Sequence, residues 1–351
     1  MENGPLVSVI IPHYNGREIL LRCLAALKLS RDVAMEIILV DNASTDGSIG
    51  QVREKYPAVR VVRSDENLGF AGGCNLGMQH ARGRYFLLLN NDAVVTEQTI
   101  AQLAAYAEQN PEYAALQPKI CSLSNEGWFD YAGAAGGMMD IFGFPFARGR
   151  IFHTIEEDYG QYDQDVDLFW ASGTCTLLRR SAVEETGMLD ESFFAHMEEI
   201  DLNWRLLIAG YKVGLVSQAV VYHDAGSTLK QNSPQKIYLN HRNNLIMLLK
   251  NYSWPTLAMI FPLRLLMEFA AGLHAVVQRD WPQARAILRA LVHVALRAPA
   301  VLPARRDIAR FRKRTDSEVM AFMYRNSMVV QYFLFRKKIY STVSTHERFA
   351  Q

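Results

Sequence analysis

Residues 85–92, with the sequence YFLLLNND, constrain the fold of this chain more than any other stretch. Five large apolar residues in succession suit a strand that is covered on both faces, as in a mostly parallel sheet. Asn90, Asn91 and Asp92 follow this strand without a spacer. Such sheets bind ligands at the carboxyl ends of their strands, where Asp92 would stand. A carboxylate there suits a hard divalent cation that holds phosphate groups, the usual task of Mg²⁺ or Mn²⁺.

Apolar periodicity around this run predicts alternating strands and helices. The predicted strands are residues 7–12, 36–41, 59–62 and 85–89, and the predicted helices are residues 17–29, 46–56, 70–81 and 96–110. Thr96 is expected to cap the last of these helices, and Asp46 the second. The alternation implies right-handed crossovers and a doubly wound, mostly parallel sheet of the α/β class.

The periodicity weakens after residue 121. Residues 121–167 are rich in glycine and aromatic residues and end in an acidic stretch, which predicts a long functional loop or lid. Beyond it we expect ordered structure at 168–179, a helix near 180–186, a further segment at 193–209, a pair of strands within 213–223, and helices beyond 252.

Composition narrows the classes of protein to consider. A chain of 351 residues, half of them hydrophobic, can bury a full core as one large or two ordinary domains. The four cysteines are scattered without a CxxC pair, which argues against a zinc site or a disulfide framework and favours a reducing, cytoplasmic setting. Residues 1–5 lack the basic start and apolar run of a signal peptide.

The carboxyl-terminal region is apolar and basic, although the whole chain has a formal net charge of +1. Residues 254–277 are mostly apolar, but Arg264, Glu268 and two prolines interrupt them, so a clean spanning helix of about 20 residues is not expected. Aromatic and basic helices beyond residue 252 suit the surface of an anionic membrane. A helical subdomain packed on the core or on another subunit explains the same composition. Nucleic acid is a poorer partner, because no recognisable binding motif accompanies the charge.

Two loops carry further candidate ligand contacts. Asp41 closes the second predicted strand, where its carboxylate suits either a nucleobase or ribose contact or a turn. Residues 67–75, NLGFAGGCN, place small residues where a loop enters a helix. Such residues let the backbone approach a phosphate or sugar, or let helices pack closely. Neither the GxGxxG nor the P-loop spacing is present, so neither NAD binding nor ATP hydrolysis is supported.

An acidic cluster lies at residues 198–201. On a helix Glu198 and Asp201 share a face, Asp201 can pair with Arg205, and Glu199 points elsewhere. The cluster suits a solvated helix start, where acids are favourable. Aromatic neighbours also suit a carboxylate whose pKa is raised for work as a general base.

His223 ends the last predicted strand. A structural role explains a single histidine of this kind. Beside Asp92, its imidazole would instead complete a mixed oxygen and nitrogen site, which tilts the choice of metal from Mg²⁺ toward Mn²⁺.

These motifs together resemble the family 2 glycosyltransferases with a GT-A fold, particularly bacterial rhamnosyltransferase-like members that build cell-surface glycans. The resemblance extends over about residues 6–250 and is carried by seven blocks in order: 7–15, 37–48, 67–70, 90–92, 172–173, 198–201 and 221–223. It implies an inverting, metal-dependent enzyme that moves a sugar, with rhamnose a candidate, from a UDP- or dTDP-sugar. The implied acceptor is a hydroxyl of a glycan or lipid-linked molecule in cell-surface polysaccharide biosynthesis.

The resemblance also implies roles for individual residues. The nucleotide-sugar site takes Pro12, Tyr14, Asn15, Asp41, Asn67, Gly69, Asn91 and Gly173, with Asp41 reading the uracil or thymine edge. The Mn²⁺ or Mg²⁺ site takes Asp92, His223 and Asn90, and Glu199 is the catalytic base. Two positions depart from the family pattern: Asn90 replaces the first acid of the metal motif, and Glu199 replaces an aspartate.

The expected organisation is a GT-A domain at residues 1–250 and a helical, basic region at residues 251–351 that serves membrane-surface association or oligomerisation. A peripheral position on the cytoplasmic face of the inner membrane would follow. A sugar nucleotidyltransferase is an alternative, but residues 12–16, PHYNG, lack the glycine-rich loop with Arg and Lys that it needs. A glycan-binding or scaffold subunit with weakened activity is the non-enzymatic alternative, suggested by Asn90 and Glu199.

Overall fold

The computed structural model describes residues 6–224 and 233–344. The prediction of no signal peptide, made on residues 1–5, lies outside these residues. The first third of the chain alternates strands and helices as predicted. The strands are β1 (Val7–His13), β2 (Met35–Asn42), β3 (Arg60–Ser64) and β4 (Tyr85–Leu89), and the helices are α1 (Arg17–Lys28), α2 (Ser48–Lys55) and α3 (Gly69–His80).

These four strands are parallel and lie in the order β3-β2-β1-β4. Alternate residues of β1 enter two apolar layers, Val9 and Ile11 on the side of α1, and Ile10 on the side of α3. Both layers are fully buried, which is why strands β1 and β4 read as continuous apolar runs rather than as alternating ones. The α/β class and the alternation of strands with helices on both faces of the sheet are thereby confirmed.

The sheet continues beyond β4 with strands of both directions. These strands are β5 (Ala93–Val95), β6 (Tyr113–Ser122), β11 (Asp167–Leu168), β12 (Cys175–Arg179) and β13 (Lys212–His223). Strand β12 is antiparallel to both β4 and β6, β13 is parallel to β6, and β5 is antiparallel to the end of β13. The described residues therefore form a mixed nine-stranded sheet.

Three local predictions were wrong. Helix α2 has Gly47 rather than Asp46 at its N-cap position, although Asp46 Oδ1 accepts the N–H of Ser48 at 3.0 Å. Helix α4 (Thr99–Gln109) has Gln98 at its N-cap position, and Thr96 is not the cap, because its hydroxyl contacts the Thr99 hydroxyl at 2.8 Å rather than a backbone N–H of the helix. Residues 213–223 are not a strand pair but part of the single strand β13, whose register shifts between Val216 and Val220. The shift occurs where Ser217 turns its N–H to the carboxylate of Asp165, 2.8 Å away, instead of to the sheet.

Residues 121–167 are an ordered lobe rather than an extended loop. They form a four-stranded meander: β7 (Gly137–Met139), β8 (Pro145–Ala147), β9 (Arg150–Ile151) and β10 (Thr154–Ile155). Phe129 and Phe146 are fully buried within it. Asp140 accepts hydrogen bonds from the N–H groups of Phe142, Phe144 and Met328, and so ties the lobe to the carboxyl-terminal region. Strands of two or three residues are too short to produce a readable period, which explains the missed assignment.

The remaining described elements are helical. They are α5 (Arg180–Thr186), α6 (Glu198–Ile208), α7 (Pro234–Asn251), α8 (Trp254–Val277), α9 (Trp281–Arg297), α10 (Leu302–Phe311), α11 (Asp316–Met320) and α12 (Tyr340–Ser344). Helix α7 begins after Ser233, whose hydroxyl accepts the N–H of Lys236. The helical region beyond residue 252 is confirmed.

Helix α8 carries its two charges inside the protein. Arg264 and Glu268 are both buried and form an ion pair of 2.5 Å, and His241 of α7 contacts the second carboxylate oxygen at 2.5 Å. By length and composition, α8 and the stretch Trp281–Phe311 could each cross a membrane, with mean hydropathies of 1.5 and 1.4. We had expected the two charges to exclude α8 as a membrane-spanning helix, and by this criterion they do not. A core helix of a soluble protein can meet the same criterion, so this finding does not place the chain in a membrane.

Candidate active site

A cavity of about 750 Å³ opens at the carboxyl ends of β1 and β4. The large sheet and the start of α6 form one side, and the lobe of residues 121–167 with α7 and α8 forms the other. Ten of the twelve predicted site residues line it: Pro12, Tyr14, Asn67, Gly69, Asn90, Asn91, Asp92, Gly173, Glu199 and His223. Asn15 and Asp41 are not among the lining residues.

Strand pairing brings Asp92 and His223 together, although 131 residues separate them. Ala93 of β5 is the register partner of His223 at the end of β13. The imidazole Nε2 consequently lies 3.0 Å from Asp92 Oδ1, and the amide nitrogen of Asn90 lies 3.5 Å from the same Nε2. The three predicted metal-binding residues therefore converge at one point of the cavity wall.

Asp130 was missed by the sequence reasoning, since it stands in the stretch where the pattern faded. Its carboxylate Oδ1 lies 2.9 Å from His223 Nδ1 and so orients the ring. Burial alone would lower the pKa of His223, but the hydrogen bonds to Asp130 and Asp92 outweigh it and raise this pKa to about 10. A carboxylate on the outer nitrogen is the usual support of a histidine that binds a metal through its other nitrogen.

The donor atoms at this point fit a divalent cation that takes part of its coordination shell from a substrate. They comprise one carboxylate, one imidazole and one amide, all at the cavity wall. Within residues 6–224 and 233–344 no group of three His, Cys, Asp or Glu side chains could hold a metal ion. An ion bound here would need further oxygen ligands, which diphosphate groups commonly supply.

His13, also missed, anchors Asn91. Its Nδ1 accepts from the Asn91 amide at 2.8 Å, and its Nε2 lies 2.9 Å from the hydroxyl of Ser48. Burial lowers the pKa of His13, so the neutral imidazole can act as the acceptor. The position of Asn91 next to Asp92 is therefore set from the neighbouring strand.

Asp41 and Asn15 join the loops that follow β1 and β2. Asp41 Oδ1 accepts the N–H of Ser44 at 2.8 Å, so the turn-forming role is the one observed. Asn15, which has a left-handed φ of 56°, accepts the N–H of Thr45 through its side chain at 2.9 Å. Contact of either residue with a ligand remains a prediction.

Gly69 serves close packing at the start of α3. With its φ of +70°, it approaches Phe194 so closely that an added Cβ would lie 2.4 Å from that residue's carbonyl oxygen. The same oxygen accepts the N–H groups of Phe70 and Ala71, so the first donors of α3 are already engaged. The packing alternative is therefore observed, and contact of Asn67 and Gly69 with a sugar or phosphate remains a prediction.

The three acids of the 198–201 cluster have separate environments. Asp201 is fully buried and pairs with Arg205 at 3.1 Å, as predicted, and also with Lys250 at 2.9 Å. Glu199 borders the cavity beside Gly173, and burial raises its pKa to about 7. Glu198 is more deeply buried, and burial together with the charge of Glu199 raises its pKa well above the usual range.

The backbone before Glu198 is strained and externally braced. Phe194, His196 and Met197 have left-handed φ values of 64°, 69° and 74°. The side-chain amide of Asn243, a fully buried residue of α7, donates to the carbonyls of Phe193, Ala195 and His196. Non-glycine residues persist in this conformation only where their surroundings enforce it, often at functional sites. A buried asparagine inside a helix was the sequence signal that could have revealed this brace.

Comparisons of the sequence with known proteins point to one family of enzymes. The sequence model of glycosyl transferase family 2 matches residues 8–187, just over half of the chain. An N-acetylglucosaminyl-diphospho-decaprenol L-rhamnosyltransferase of Mycobacterium tuberculosis is 28% identical over 266 residues, which cover 71% of this chain and 85% of the relative. The low-salt glycan biosynthesis hexosyltransferase Agl10 of Haloferax volcanii is 24% identical over 256 residues, covering 68% of this chain and 74% of Agl10.

Solved structures support the fold. S. aureus TarS in complex with UDP-GlcNAc has a TM-score of 0.56 and 17% identity, over 91% of this chain and 93% of its own. GalNAc-T7 with UDP, GalNAc and Mn²⁺ has a TM-score of 0.58 and 16% identity, over 74% of this chain and 50% of its own.

Proposed function

Because the chain belongs to glycosyl transferase family 2, we propose that this glycosyltransferase is inverting and metal-dependent, and that it transfers a sugar from a UDP- or dTDP-sugar to a hydroxyl of a glycan or lipid-linked acceptor. The chain is related to a rhamnosyltransferase, which makes rhamnose the first sugar to test. One observation carries the proposal: Asp92, His223 and Glu199 border a single cavity large enough for a substrate.

Glu199 is the proposed catalytic base. It accepts the proton of the acceptor hydroxyl, whose oxygen attacks the anomeric carbon from the face opposite the nucleotide. The bond between that carbon and the diphosphate oxygen breaks, and the configuration at the carbon inverts. A carboxyl with a pKa raised to about 7 is matched to proton abstraction near neutral pH.

Asp92, His223 and Asn90 are the proposed ligands of Mn²⁺ or Mg²⁺, and the imidazole nitrogen favours Mn²⁺. When bound, the cation supplies positive charge to the diphosphate leaving group. Asp130 keeps the imidazole Nε2 directed at the site through its contact with Nδ1.

The nucleotide is proposed to lie along Pro12, Tyr14, Asn67, Gly69, Asn91 and Gly173, with Asn15 and Asp41 on the nucleobase side. Asp41 would accept from the imide N–H that uracil and thymine share, so the same contact serves UDP and dTDP. The similar structures that hold UDP-GlcNAc, or UDP with Mn²⁺, support a pyrimidine nucleotide.

A lipid-linked acceptor is supported by an apolar face on helix α8. The exposed side chains of this face repeat every three or four residues: Met259, Leu263, Leu266, Phe269, Leu273 and Val277. We propose that residues 251–351 form a helical region beside a catalytic domain of residues 1–250, and that this face rests on the cytoplasmic side of the inner membrane. Contact with a second copy of the chain is the alternative use of the face.

Vesicle flotation tests the membrane proposal. Leu266 is 64% exposed, so the substitution Leu266→Glu should leave the fold intact. The variant should float less with anionic vesicles than the wild-type protein does. A change in oligomeric state with unchanged flotation would favour the self-association alternative.

Ligand-dependent thermal stability tests the catalytic proposal. Wild-type protein is heated with UDP-, dTDP- and GDP-sugars, each with and without Mn²⁺. We expect one pyrimidine donor to raise the melting temperature, and more strongly with Mn²⁺. A donor-hydrolysis assay then separates an active enzyme from a subunit that binds without turnover. Absence of stabilisation by every nucleotide sugar would contradict the proposed function.

A further inference from the structure

Two cationic side chains stand on the cavity wall that faces the large sheet. Arg150 belongs to β9 of the 121–167 lobe, and Lys236 belongs to the first turn of α7. Both line the cavity, and both approach the ring of Tyr131, with the Arg150 guanidinium carbon 4.8 Å and the Lys236 Nζ 5.7 Å from its centroid.

Neither cation has a counterion. Across the described ranges, neither side chain forms an ion pair, and Arg150 Nε has no hydrogen-bond partner although Arg150 is only 7% exposed. Burial lowers the pKa of Arg150, and burial together with the charge of Arg150 lowers the pKa of Lys236. Keeping two cations near each other and partly dry is unfavourable unless an anion joins them.

Other charged groups in the described parts of the chain do not fill this role. Asp130 influences Arg150 electrostatically, but its carboxylate is committed to His223. On the opposite side, His196 also lines the cavity, and burial together with the charge of Lys236 lowers its pKa to about 4, so its imidazole is neutral. The two cations therefore lie between the partner of the metal-site histidine and the segment that leads into Glu199.

We infer that Arg150 and Lys236 form an anion subsite that binds a phosphate group of a substrate. Two sources share this chemistry: the diphosphate that joins an acceptor to its lipid, and the diphosphate of the nucleotide donor. Guanidinium and ammonium groups are the usual protein partners of phosphate oxygens. Phe144, Pro145 and Phe152 on the same wall add apolar surface next to the two charges, which suits a phosphate attached to a prenyl chain.

This inference rests on the proposed function for its substrates, but its binding test does not. The variants are Arg150→Gln and Lys236→Gln, which remove charge and retain hydrogen-bonding groups. Arg53→Gln is the matched control, because Arg53 is an exposed residue of α2 that does not line the cavity. Calorimetry measures binding of UDP, uridine and inorganic pyrophosphate. Kinetics compare N-acetylglucosaminyl diphosphate on a short prenyl chain with octyl N-acetylglucosaminide, which has no phosphate.

An acceptor subsite predicts that each variant raises KM for the diphosphate acceptor by about ten-fold or more, with little change for the octyl glycoside. A donor subsite predicts a similar loss in UDP affinity with uridine binding unchanged. Both results support the subsite and identify its source. Wild-type values within two-fold in both variants, as expected for Arg53→Gln, would overturn it. If wild-type protein transfers no sugar at all, the proposed function fails, and the pyrophosphate comparison still decides whether the subsite exists.

Discussion

Replacing Glu199 by glutamine is the most direct test of the proposed chemistry. The substitution preserves the shape of the side chain and removes its ability to accept a proton at neutral pH. General-base catalysis commonly contributes about 10²–10⁴-fold to a rate, so we expect kcat to fall by this range. Nucleotide binding should persist, because the diphosphate is assigned to Asp92 and His223 rather than to Glu199.

The pH dependence of kcat in the wild-type enzyme gives a second quantitative prediction. Only the ionised carboxylate can act as a base, and the pKa of Glu199 is raised to about 7 by burial. The ionised fraction then rises from about one tenth at pH 6 to about nine tenths at pH 8, so kcat should rise about ten-fold over this interval. The residual activity of Glu199→Gln should lack this rise.

As the pH rises, the stability of the folded chain should fall while its activity increases. An unfolded glutamate titrates near ~4.3, so the raised folded-state pKa means that the folded chain loses stability as pH rises from about 4 to about 7. The loss is complete above pH 7 and is on the order of 3–4 kcal/mol. Glu199→Gln removes it, so the variant should be more stable than wild type at pH 8.

The assay combines single-turnover transfer, nucleotide calorimetry and urea unfolding at pH 6 and pH 8. Glu54→Gln on the exposed face of α2 is the control, since Glu54 has no partner within the described structure and should change none of the three. An inactive Glu199→Gln that is also less stable at pH 8 would point to a structural role. Transfer within ten-fold of wild type would refute the assignment of the base.

Three further changes test the supports of the site. Asp130→Asn should weaken the apparent affinity for Mn²⁺ by about 10–100-fold in a metal titration of activity, because His223 loses its orienting carboxylate; an unchanged titration would contradict that role. Asn243→Ala should lower the free energy of unfolding by about 1–3 kcal/mol and reduce kcat, because the carbonyls of Ala195 and His196 lose their side-chain donor; full activity would show that the brace is dispensable. Gly69→Ala should cost about 1–3 kcal/mol in urea unfolding, because its φ is +70° and the new Cβ would meet the Phe194 carbonyl; wild-type stability would contradict the packing argument.

Much of the fold could be predicted because its first third consists of long, regular elements. The strand before Asp92 and the strand before Asp41 read as apolar runs, and both lie where the alternation of strands and helices predicts. The errors occur where the local signal is short. Strands of two or three residues at 137–155 show no period, and the Ser217 bulge depends on Asp165, which lies 52 residues earlier.

The residues of the candidate site likewise fall into those that the sequence predicted and those that it did not. Residues that directly follow long strands were found, because polar groups after a buried run stand out in a sequence. Asp130, Arg150 and Lys236 were not found, because each lies in a stretch whose local pattern carries no sign of the cavity. Asn243 was also missed, although an asparagine inside a helix was a signal for it.

The order of motifs by itself determined the α/β class and the family, and it predicted a set of candidate site residues. Only the tertiary structure decided which of them meet. Asp92 reaches His223 because β5 pairs with the end of β13, and Arg150 reaches Lys236 because the 121–167 lobe and α7 close over the same cavity. Such contacts join segments about 90–130 residues apart, and they depend on how whole elements pack, which local periodicity does not encode.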